Sequence, residues 1–552
     1  MSVTCRPSRL SATPPLSVVE AMSRSGFYAG SPPVTVRETH TAWVFLAGDR
    51  AYKVKKLVRM AFLDFSTRER RRLALVEELR VNRELAPGIG LRLRAIVALS
   101  DSYSLVDAPA SGAVEYAIEM RRFDEARTMA ALAERGELAD EQVRAVARRL
   151  VAFHTSAPAL LSPRDLAGEI KRACDRNQHE LLALAGDATA RRVLAAERFT
   201  AAFLVAHRSE IAARAGAGCV RDGHGDLRAE HVVLQQPIVI VDRLEFDAQL
   251  REIDIADDLA FLAMDLERLG ARDAARLLVK TYRAAGGDPG SDALLAFYGV
   301  QRALVRAKVT LLRAAQLHDP AAAAVAREQA GDLLGLAERL AWRARGPLVL
   351  AISGPPASGK STLAAALSRR SGWPVLSSDI ARKRRRGLAL TATAPDADYT
   401  LDARAAIYRE LGEHAHDVLA DDPGTILDAT FGDPQLRHAF LASLGGQHPL
   451  CALECRAPAP LRDQRARDRS PADARGSDAA PAVVARLGAS FSDWDELPQE
   501  AILTLRSHGD AELLVDQIAD WLDTRASVVL TPDARLGMPA SGAITANKGM
   551  TP

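Results

Sequence analysis

The chain has 552 residues, of which 48% are hydrophobic and 5% aromatic, and its formal net charge is +2. The length predicts roughly three to four domains, and the nearly neutral charge gives no global electrostatic case for a nucleic-acid or membrane partner. Five scattered cysteines argue against a disulfide framework, and no apolar run is long enough for a signal peptide or a membrane span, so we expect a cytoplasmic protein. Residues 1–30 are rich in Ser and Pro, which predicts a poorly ordered start.

The next stretch, 31–345, combines a short β-rich piece with a large helical piece. TAWVFLAGDRAYKVKK at 41–56 predicts two strands around a Gly-Asp turn, and the apolar pattern from Ser66 to Leu85 predicts an amphipathic helix. Composition resets at Gly346, where strands and helices begin to alternate up to residue 525. This alternation predicts a doubly wound parallel sheet, and residues 526–552 are expected to form a flexible tail.

A phosphate-binding loop is the most specific motif of the chain. It follows the apolar stretch LVLAI, precedes a helix-forming segment, and consists of Gly354, Pro355, Pro356, Ala357, Ser358, Gly359, Lys360, Ser361 and Thr362. Glycines allow backbone N–H groups to surround phosphates, and the helix N-terminus adds positive potential. We predict that Lys360 reaches the β- and γ-phosphates of a nucleotide and that Ser361 holds Mg²⁺.

Five further residues after the loop, two acids and three arginines, are candidates for catalysis or for metal binding. Asp379 ends an apolar stretch, where it either accepts a proton from a substrate hydroxyl or caps the following helix. Asp428 ends another predicted strand and is expected to contact Mg²⁺ through water. Arg462, Arg465 and Arg469 share one helical face, which either closes over phosphates as a kinase lid or is a solvated face.

The basic run at 382–386 directly follows Asp379. It either binds a phosphorylated or nucleic-acid substrate or, as we favour, forms a solvated basic face. It is therefore only a weak exception to the expectation that no nucleic acid is bound.

A second constellation is HGDLRAEH at 224–231, followed by a strand that ends in Asp242. Phosphoryl transfer needs one carboxylate that orients the attacking hydroxyl and further ligands for Mg²⁺. Asp226 suits the first role and Asp242 the second. The acids Asp254, Asp257 and Asp258 either shape an acceptor pocket or buttress this loop.

This constellation resembles the aminoglycoside phosphotransferase branch of the kinase-like fold. The resemblance implies that Lys53 binds phosphate, that Glu78 pairs with it, and that the backbone near Glu119 and Met120 meets adenine. The family has Asn five residues after the Asp of HGD, whereas this chain has His231 at that metal-ligand position.

Residues 346–525 resemble P-loop kinases of the zeta-toxin and polynucleotide-kinase kind, through GPPASGKST, SSD, ILDAT and the Arg-rich segment. The whole arrangement resembles a bacterial family of bifunctional aminoglycoside phosphotransferase/ATP-binding proteins. It implies an N-terminal bilobal kinase-like fold, a C-terminal P-loop NTPase fold, and the cofactors ATP and Mg²⁺.

Three hypotheses of function follow. The first is an enzyme whose two modules phosphorylate hydroxyl groups of small molecules. The second is a nucleotide-binding regulatory protein with a degenerate N-terminal module, and the third is a toxin-like kinase of a nucleotide sugar. The sequence leaves the acceptors and the oligomeric state open.

Overall fold

The structure is a computed structural model that describes residues 17–527 with several gaps. The gaps are residues 40, 61–62, 101, 161–164, 391, 393–394, 447 and 469–490. Unit 1, the first of two compact units, comprises Met1–Arg164 and Ala213–Gly290, and unit 2 comprises Asp165–Ala212 and Ser291–Pro552. These divisions differ from the predicted boundary at Gly346, and separate folding of the predicted domains stays a prediction.

Strands and helices are numbered here in chain order. The strands are β1 (Val34–Glu38), β2 (Ala42–Ala47), β3 (Arg50–Lys55), β4 (Arg59–Met60), β5 (Leu63–Asp64), β6 (Gly90–Ala98), β7 (Tyr103–Asp107), β8 (Ala113–Arg121), β9 (Val220–Asp222), β10 (Val232–Val233), β11 (Val239–Ile240), β12 (Glu252–Asp254), β13 (Leu348–Ser353), β14 (Val375–Ser377), β15 (Gly424–Asp428), β16 (Leu450–Arg456) and β17 (Ile502–Arg506). The helices are α1 (Val18–Met22), α2 (Arg68–Asn82), α3 (Met129–Glu134), α4 (Asp140–Ser156), α5 (Leu166–Leu184), α6 (Asp187–Ala206), α7 (Arg208–Gly216), α8 (Ile255–Arg268), α9 (Arg272–Ala284), α10 (Asp292–Gln316), α11 (Pro320–Ala344), α12 (Lys360–Ser371), α13 (Ser378–Arg385), α14 (Leu401–Val418), α15 (Pro434–Leu444), α16 (Ala459–Arg467) and α17 (Ala511–Ser527). Within the described part of the chain, no helix combines the length and the apolar character needed to cross a membrane.

Unit 1 contains an antiparallel six-stranded sheet in the order β1-β2-β3-β8-β6-β7. Lys53 lies on the central strand β3, opposite Val44 on β2 and Ile118 on β8. A buried cluster that includes Phe45 and Ile96 covers one part of the sheet. Because neighbours pair with β3 on both sides, the position of Lys53 is fixed by the ladder.

Residues 17–30 have a defined structure, which differs from the poor order predicted for this segment; residues 1–16 lie outside the described residues. Ser17 caps α1 through a capping box with Glu20. Met22 and Tyr28 are buried in the same cluster as Phe45. Burial of these large apolar side chains favours a fixed conformation for the segment.

Helix α2 follows the sheet strands and presents one buried face. The Thr67 hydroxyl caps it by accepting a hydrogen bond from the Arg70 N–H. Leu75, Glu78 and Val81 lie three residues apart and are buried, as residues on one helical face are. This spacing turns the Glu78 carboxylate inward.

Unit 2 contains a parallel five-stranded sheet in the order β14-β15-β13-β16-β17, which confirms the predicted parallel sheet. The central strand β13 is buried at every position, as expected for a strand covered on both faces. Apolar clusters lie on the two faces, one around Phe440 of α15 and the other around Leu363 of α12. The switch in strand order places the ends of β13 and β15 beside each other.

Helix α11 precedes Gly346 but packs against the sheet of unit 2. Trp342 is 1% exposed and belongs to the same apolar cluster as Leu348 and Trp373. The sequence analysis did not predict this contact, because Trp342 and Trp373 lie on opposite sides of the composition change at Gly346.

Candidate active sites

The phosphate-binding loop joins β13 to α12. Gly354, Ala357 and Gly359 have positive φ values of 140°, 62° and 97°. A Cβ atom on Gly354 would lie 2.6 Å from the carbonyl oxygen of Cys455, so only glycine fits there without displacement. The backbone thus follows the path that a phosphate cradle requires.

The Lys360 ammonium lies inside this turn. Its Nζ donates to the carbonyl oxygens of Gly354 and Pro355, both at 2.9 Å. Thr362, also predicted to bind nucleotide, has an exposed side chain at the start of α12. A positive group held at the centre of a turn can neutralise phosphate charge with little reorganisation.

Ser361 and Asp428 form the oxygen-rich part of this site. Asp428 ends β15, is 8% exposed, and accepts a hydrogen bond from the Ser361 side chain. Burial raises the pKa of Asp428, while the charge of Lys360 acts in the opposite direction. A carboxylate beside a hydroxyl is a hard oxygen donor set, which fits Mg²⁺.

Asp379 lies in the first turn of α13, but it is not the cap of that helix. Ser377 is at the cap position, and its side chain makes no capping hydrogen bond. Asp379 instead accepts from Arg382 Nη1 at 2.8 Å, and its charge raises the pKa of the nearby Asp428. Asp379 is thus held next to the oxygen-rich part of the site.

Arg465 is on α16 beside the phosphate-binding loop. Its Nη1 and Nη2 both lie 3.2 Å from the carbonyl oxygen of Ser507, and Nη1 would lie 3.5 Å from a Cβ atom on Gly359. Ser507, which the sequence did not single out, also donates to the carbonyl oxygen of Ser358 at 2.5 Å. Arg469 lies outside the described residues, so the arrangement of the predicted lid is described only for Arg465.

Unit 1 holds a buried cluster of ion pairs. Lys53 Nζ lies 2.7 Å from Asp242 Oδ1 and 2.8 Å from Glu78 Oε1. Lys55 Nζ lies 2.7 Å from Glu78 Oε2 and 2.5 Å from Glu245 Oε1. The second lysine and Glu245 extend the predicted Lys53–Glu78 pair into a network.

The ion pairs of this network shift the pKa values of Asp242 and Lys53. The positive charge of Lys53 lowers the pKa of Asp242 far below that of an ordinary aspartate. Burial by itself would lower the pKa of Lys53, but Asp242 and Glu78 raise it well above 10.5. Asp242 has a positive φ of 63°, and its partly exposed carboxylate contacts the lysine. Both groups are therefore charged at neutral pH.

The HGD loop is held by Asp258 at the start of α8. Its Oδ2 and Oδ1 accept from the backbone N–H groups of His224 and Gly225 at 2.5 and 2.9 Å. Asp254, in turn, forms two 2.7 Å hydrogen bonds with Arg214. Both acids are 2% exposed or less, which favours buttressing over an acceptor pocket.

His224 connects the HGD loop to the segment that carries Asp242. Its Nε2 donates to the Val241 carbonyl oxygen at 3.0 Å, and its Nδ1 accepts from the Asp226 N–H at 3.3 Å. Burial lowers the pKa of His224 to about 4, so the ring is neutral at physiological pH. The sequence analysis did not assign a role to His224, and the HGD motif of the resemblance is the one signal that singles this residue out.

The role of His231 as an Mg²⁺ ligand stays a prediction, and both of its ring nitrogens have partners within the chain. Its Nδ1 lies 2.8 Å from the Asp226 carbonyl oxygen, and its Nε2 lies 2.9 Å from Arg228 Nη2. With Nδ1 donating and Nε2 accepting, both ring nitrogens are engaged. Arg228 Nε also lies 3.1 Å from each carboxylate oxygen of Asp226, so a guanidinium covers the predicted catalytic acid.

Glu119 and Met120 lie within the sheet. Glu119 is opposite Tyr52 on β3 and Arg92 on β6, and Met120 is likewise flanked on both sides. The Glu119 carboxylate pairs with Arg92 Nε at 2.9 Å. Pairing on both sides argues against backbone contacts from these two residues to adenine.

Comparisons with known proteins agree with the P-loop. The family model of an AAA domain (AAA_33) matches residues 349–493. A choline/ethanolamine kinase family protein from Mesorhizobium loti is 16% identical, with a TM-score of 0.34, over 56% of this chain and 94% of that protein. A sugar kinase from Janibacter sp. HTCC2649 is 19% identical, with a TM-score of 0.26, over 33% of this chain and 98% of that protein. At these TM-scores neither likeness supports a conclusion on function.

Two mycobacterial relatives match most of the chain. Uncharacterized protein Rv2004c of Mycobacterium tuberculosis (strain ATCC 25618 / H37Rv) and Uncharacterized protein Mb2027c of Mycobacterium bovis are both 36% identical over 480 residues. Each match covers 84% of this chain and 91% of the relative. The chain therefore belongs to the protein family that includes these two mycobacterial proteins.

Proposed function

We propose that the chain is a cytoplasmic ATP-dependent phosphotransferase whose P-loop module transfers the γ-phosphate of ATP to a hydroxyl group of a small molecule. The observation that carries the proposal is the loop at Gly354–Lys360, whose turn encloses the Lys360 ammonium next to the Ser361–Asp428 pair. The AAA-domain match over residues 349–493 supports it.

The proposed reaction uses residues on one edge of the parallel sheet. The acceptor oxygen attacks the γ-phosphorus while its proton passes to Asp379, and the bond from the γ-phosphorus to the bridging oxygen breaks to release ADP. Lys360 and Arg465 neutralise charge on the phosphates. Mg²⁺, when bound, supplies further neutralisation, and Ser361 and Asp428 would hold it.

Residues 31–345 are proposed to form a kinase-like module that binds a second nucleotide through Lys53 and Asp242. One observation favours a regulatory role for this module. The Arg228 guanidinium is bound to both carboxylate oxygens of Asp226, which we predicted to orient the attacking hydroxyl. Because the guanidinium occupies the oxygens that would contact the acceptor hydroxyl, binding without transfer is the second candidate function.

Calorimetric titration of the full chain with Mg-ATP tests the proposal. We expect two sites in the unmodified protein, one in Lys360→Ala, and none when Asp242→Ala is added. Lys171→Ala, which changes an exposed lysine on α5, is the matched control and should retain both sites.

Phosphoryl transfer is followed with labelled ATP and a metabolite extract. Lys360→Ala should abolish transfer by the P-loop module with no loss of folded protein, because alanine is favourable at a helix start. If Lys360→Ala leaves nucleotide binding and transfer unchanged, the proposed function is wrong. If Asp242→Ala removes nucleotide binding by the N-terminal module but changes no transfer activity, the regulatory role of that module is favoured.

A further inference from the structure

A cavity of about 350 Å³ opens in unit 2 next to helix α13. It is lined by Arg382, Arg385, Arg386, Asp398, Ala403, Ala406 and Ile407. Three of these residues belong to the basic run at 382–386, to which the proposed transfer reaction assigns no role. A volume of this size suits a small molecule.

The solvated face that we favoured from the sequence is present only at Arg384, Arg385 and Arg386, which are exposed, whereas the first two residues of the basic run are buried. Arg382 is 8% exposed and Lys383 1% exposed. The Lys383 ammonium donates to the carbonyl oxygen of Leu390 at 2.7 Å, and the Arg382 guanidinium lies 4.6 Å from the ring centre of Tyr399. Burial of a cation is costly, so these positions point to a built site and not to random surface charge.

The cavity wall carries a net positive charge. Asp398 balances Arg386, with Nη2 and Nε at 2.6 and 2.9 Å from Oδ1. Arg385 Nη1 lies 4.0 Å from Glu410 Oε2, a separation at which the attraction is weak, and its side chain is 59% exposed. Arg385 is therefore available to an incoming anion.

The cavity and the proposed catalytic centre share one residue. Arg382, which lines the cavity, donates to Asp379 at 2.8 Å. Arg382 thus links the cavity wall directly to the proposed proton acceptor. Ala403, Ala406 and Ile407 supply an apolar wall for a short carbon skeleton.

We propose that this cavity binds the anionic group, a phosphate or a carboxylate, of a small hydroxylated acceptor, with Arg385 as the main contact. The proposal rests on the proposed function, since it names the class of acceptor for the same P-loop module. A polynucleotide is less well suited, because binding a strand requires an extended basic groove with stacking aromatic rings.

Binding of inorganic phosphate to the full chain is measured by calorimetry in the presence of saturating Mg-ADP. Arg385→Gln should weaken phosphate binding about tenfold, because it removes a charge-assisted contact. Arg384→Gln is the matched control, since Arg384 is a neighbouring exposed arginine that does not line the cavity. It should change the affinity less than about twofold. Equal effects of the two variants, or no effect of Arg385→Gln, would overturn the proposal.

Transfer assays use matched acceptor pairs, glycerol 3-phosphate with glycerol and D-gluconate with sorbitol. In at least one pair, the charged compound should be phosphorylated in preference to the neutral one. A preference for glycerol 3-phosphate indicates a phosphate site, and a preference for D-gluconate indicates a carboxylate site. Arg385→Gln should raise the KM for that acceptor about tenfold and leave kcat and the KM for ATP unchanged. Preference for a neutral member, or for an oligonucleotide with a 5′-hydroxyl, would contradict the inference. Arg385-dependent phosphate binding without any transfer would support the anion site and count against the proposed function.

Discussion

The Lys53 ammonium lies 2.7 Å from Asp242 Oδ1, although 189 positions separate the two residues in the chain. The contact joins the central strand β3 to the segment that follows β11. Glu78 holds the same ammonium from α2 at 2.8 Å. Two residues that the resemblance assigned to phosphate and metal binding are thus brought together with their charges already paired.

Removal of Lys55 tests whether the neighbouring part of this network stabilises the fold. Lys55→Met should lower the free energy of unfolding by about 3–5 kcal/mol, because it leaves the buried Glu245 without its partner. Denaturant unfolding of the full chain measures the loss.

The double variant Lys55→Met/Glu245→Met serves as the control. It should recover part of the stability, since two apolar side chains then replace a buried ion pair. A double variant that is less stable than Lys55→Met would contradict this account.

Stability should depend on pH through His224. Its pKa is lowered from 6.5 to about 4, so the unfolded chain binds a proton between these values more readily than the folded chain. The contribution of His224 to the free energy of unfolding is therefore fully present above about pH 6.5. It decreases as the pH falls toward 4 and does not change further below that pH. The total effect is on the order of 3 kcal/mol, at about 1.4 kcal/mol for each pKa unit.

The measurement is scanning calorimetry of wild type and His224→Gln at several pH values from 7 to 4. His224→Gln, which does not titrate, should be less stable at pH 7, and the difference should shrink toward pH 4. A difference that stays constant over this range would show that His224 is not the group responsible.

Asp428 should be required for the contribution of Mg²⁺ to nucleotide binding. Asp428→Asn removes the charge beside Ser361 and should weaken Mg-ATP binding about tenfold or more, with little change in binding of metal-free ATP. Titration with ATP in the presence of Mg²⁺ and in the presence of a chelator measures the two affinities separately. Asp421→Asn, a change at an exposed position ahead of β15, should leave both affinities as they are.

Trp342 provides a test of the boundary at Gly346. Its ring packs edge to face on Trp373, with the ring centres 5.6 Å apart. Trp342→Ala should destabilise unit 2 by about 3–5 kcal/mol, and Trp342→Phe by less, because phenylalanine retains part of the contact. Thermal unfolding measures both.

Separate folding of residues 346–525 remains a prediction. Such a fragment lacks Trp342, so it must remain folded without the stabilisation that the Trp342 contact provides. An effect of Trp342→Ala below about 1 kcal/mol would show that α11 adds little to the sheet, and would favour the boundary at Gly346.

The sequence by itself determined the features that depend on neighbouring residues. The loop at Gly354–Lys360, the strand before it and the helix after it form one continuous segment, and alternating apolar stretches predicted the parallel sheet. Backbone freedom at glycine and the periodicity of apolar residues act locally, so they can be recognised from one segment at a time.

Only the tertiary structure decided which distant groups meet. It placed Glu245 on Lys55, Asp258 on the backbone N–H of His224, and the carbonyl oxygen of Ser507 on Arg465. It also buried Arg382 within a run that has the composition of a solvated face. Such contacts depend on the packing of whole elements, and a residue's own neighbours in the chain do not specify them.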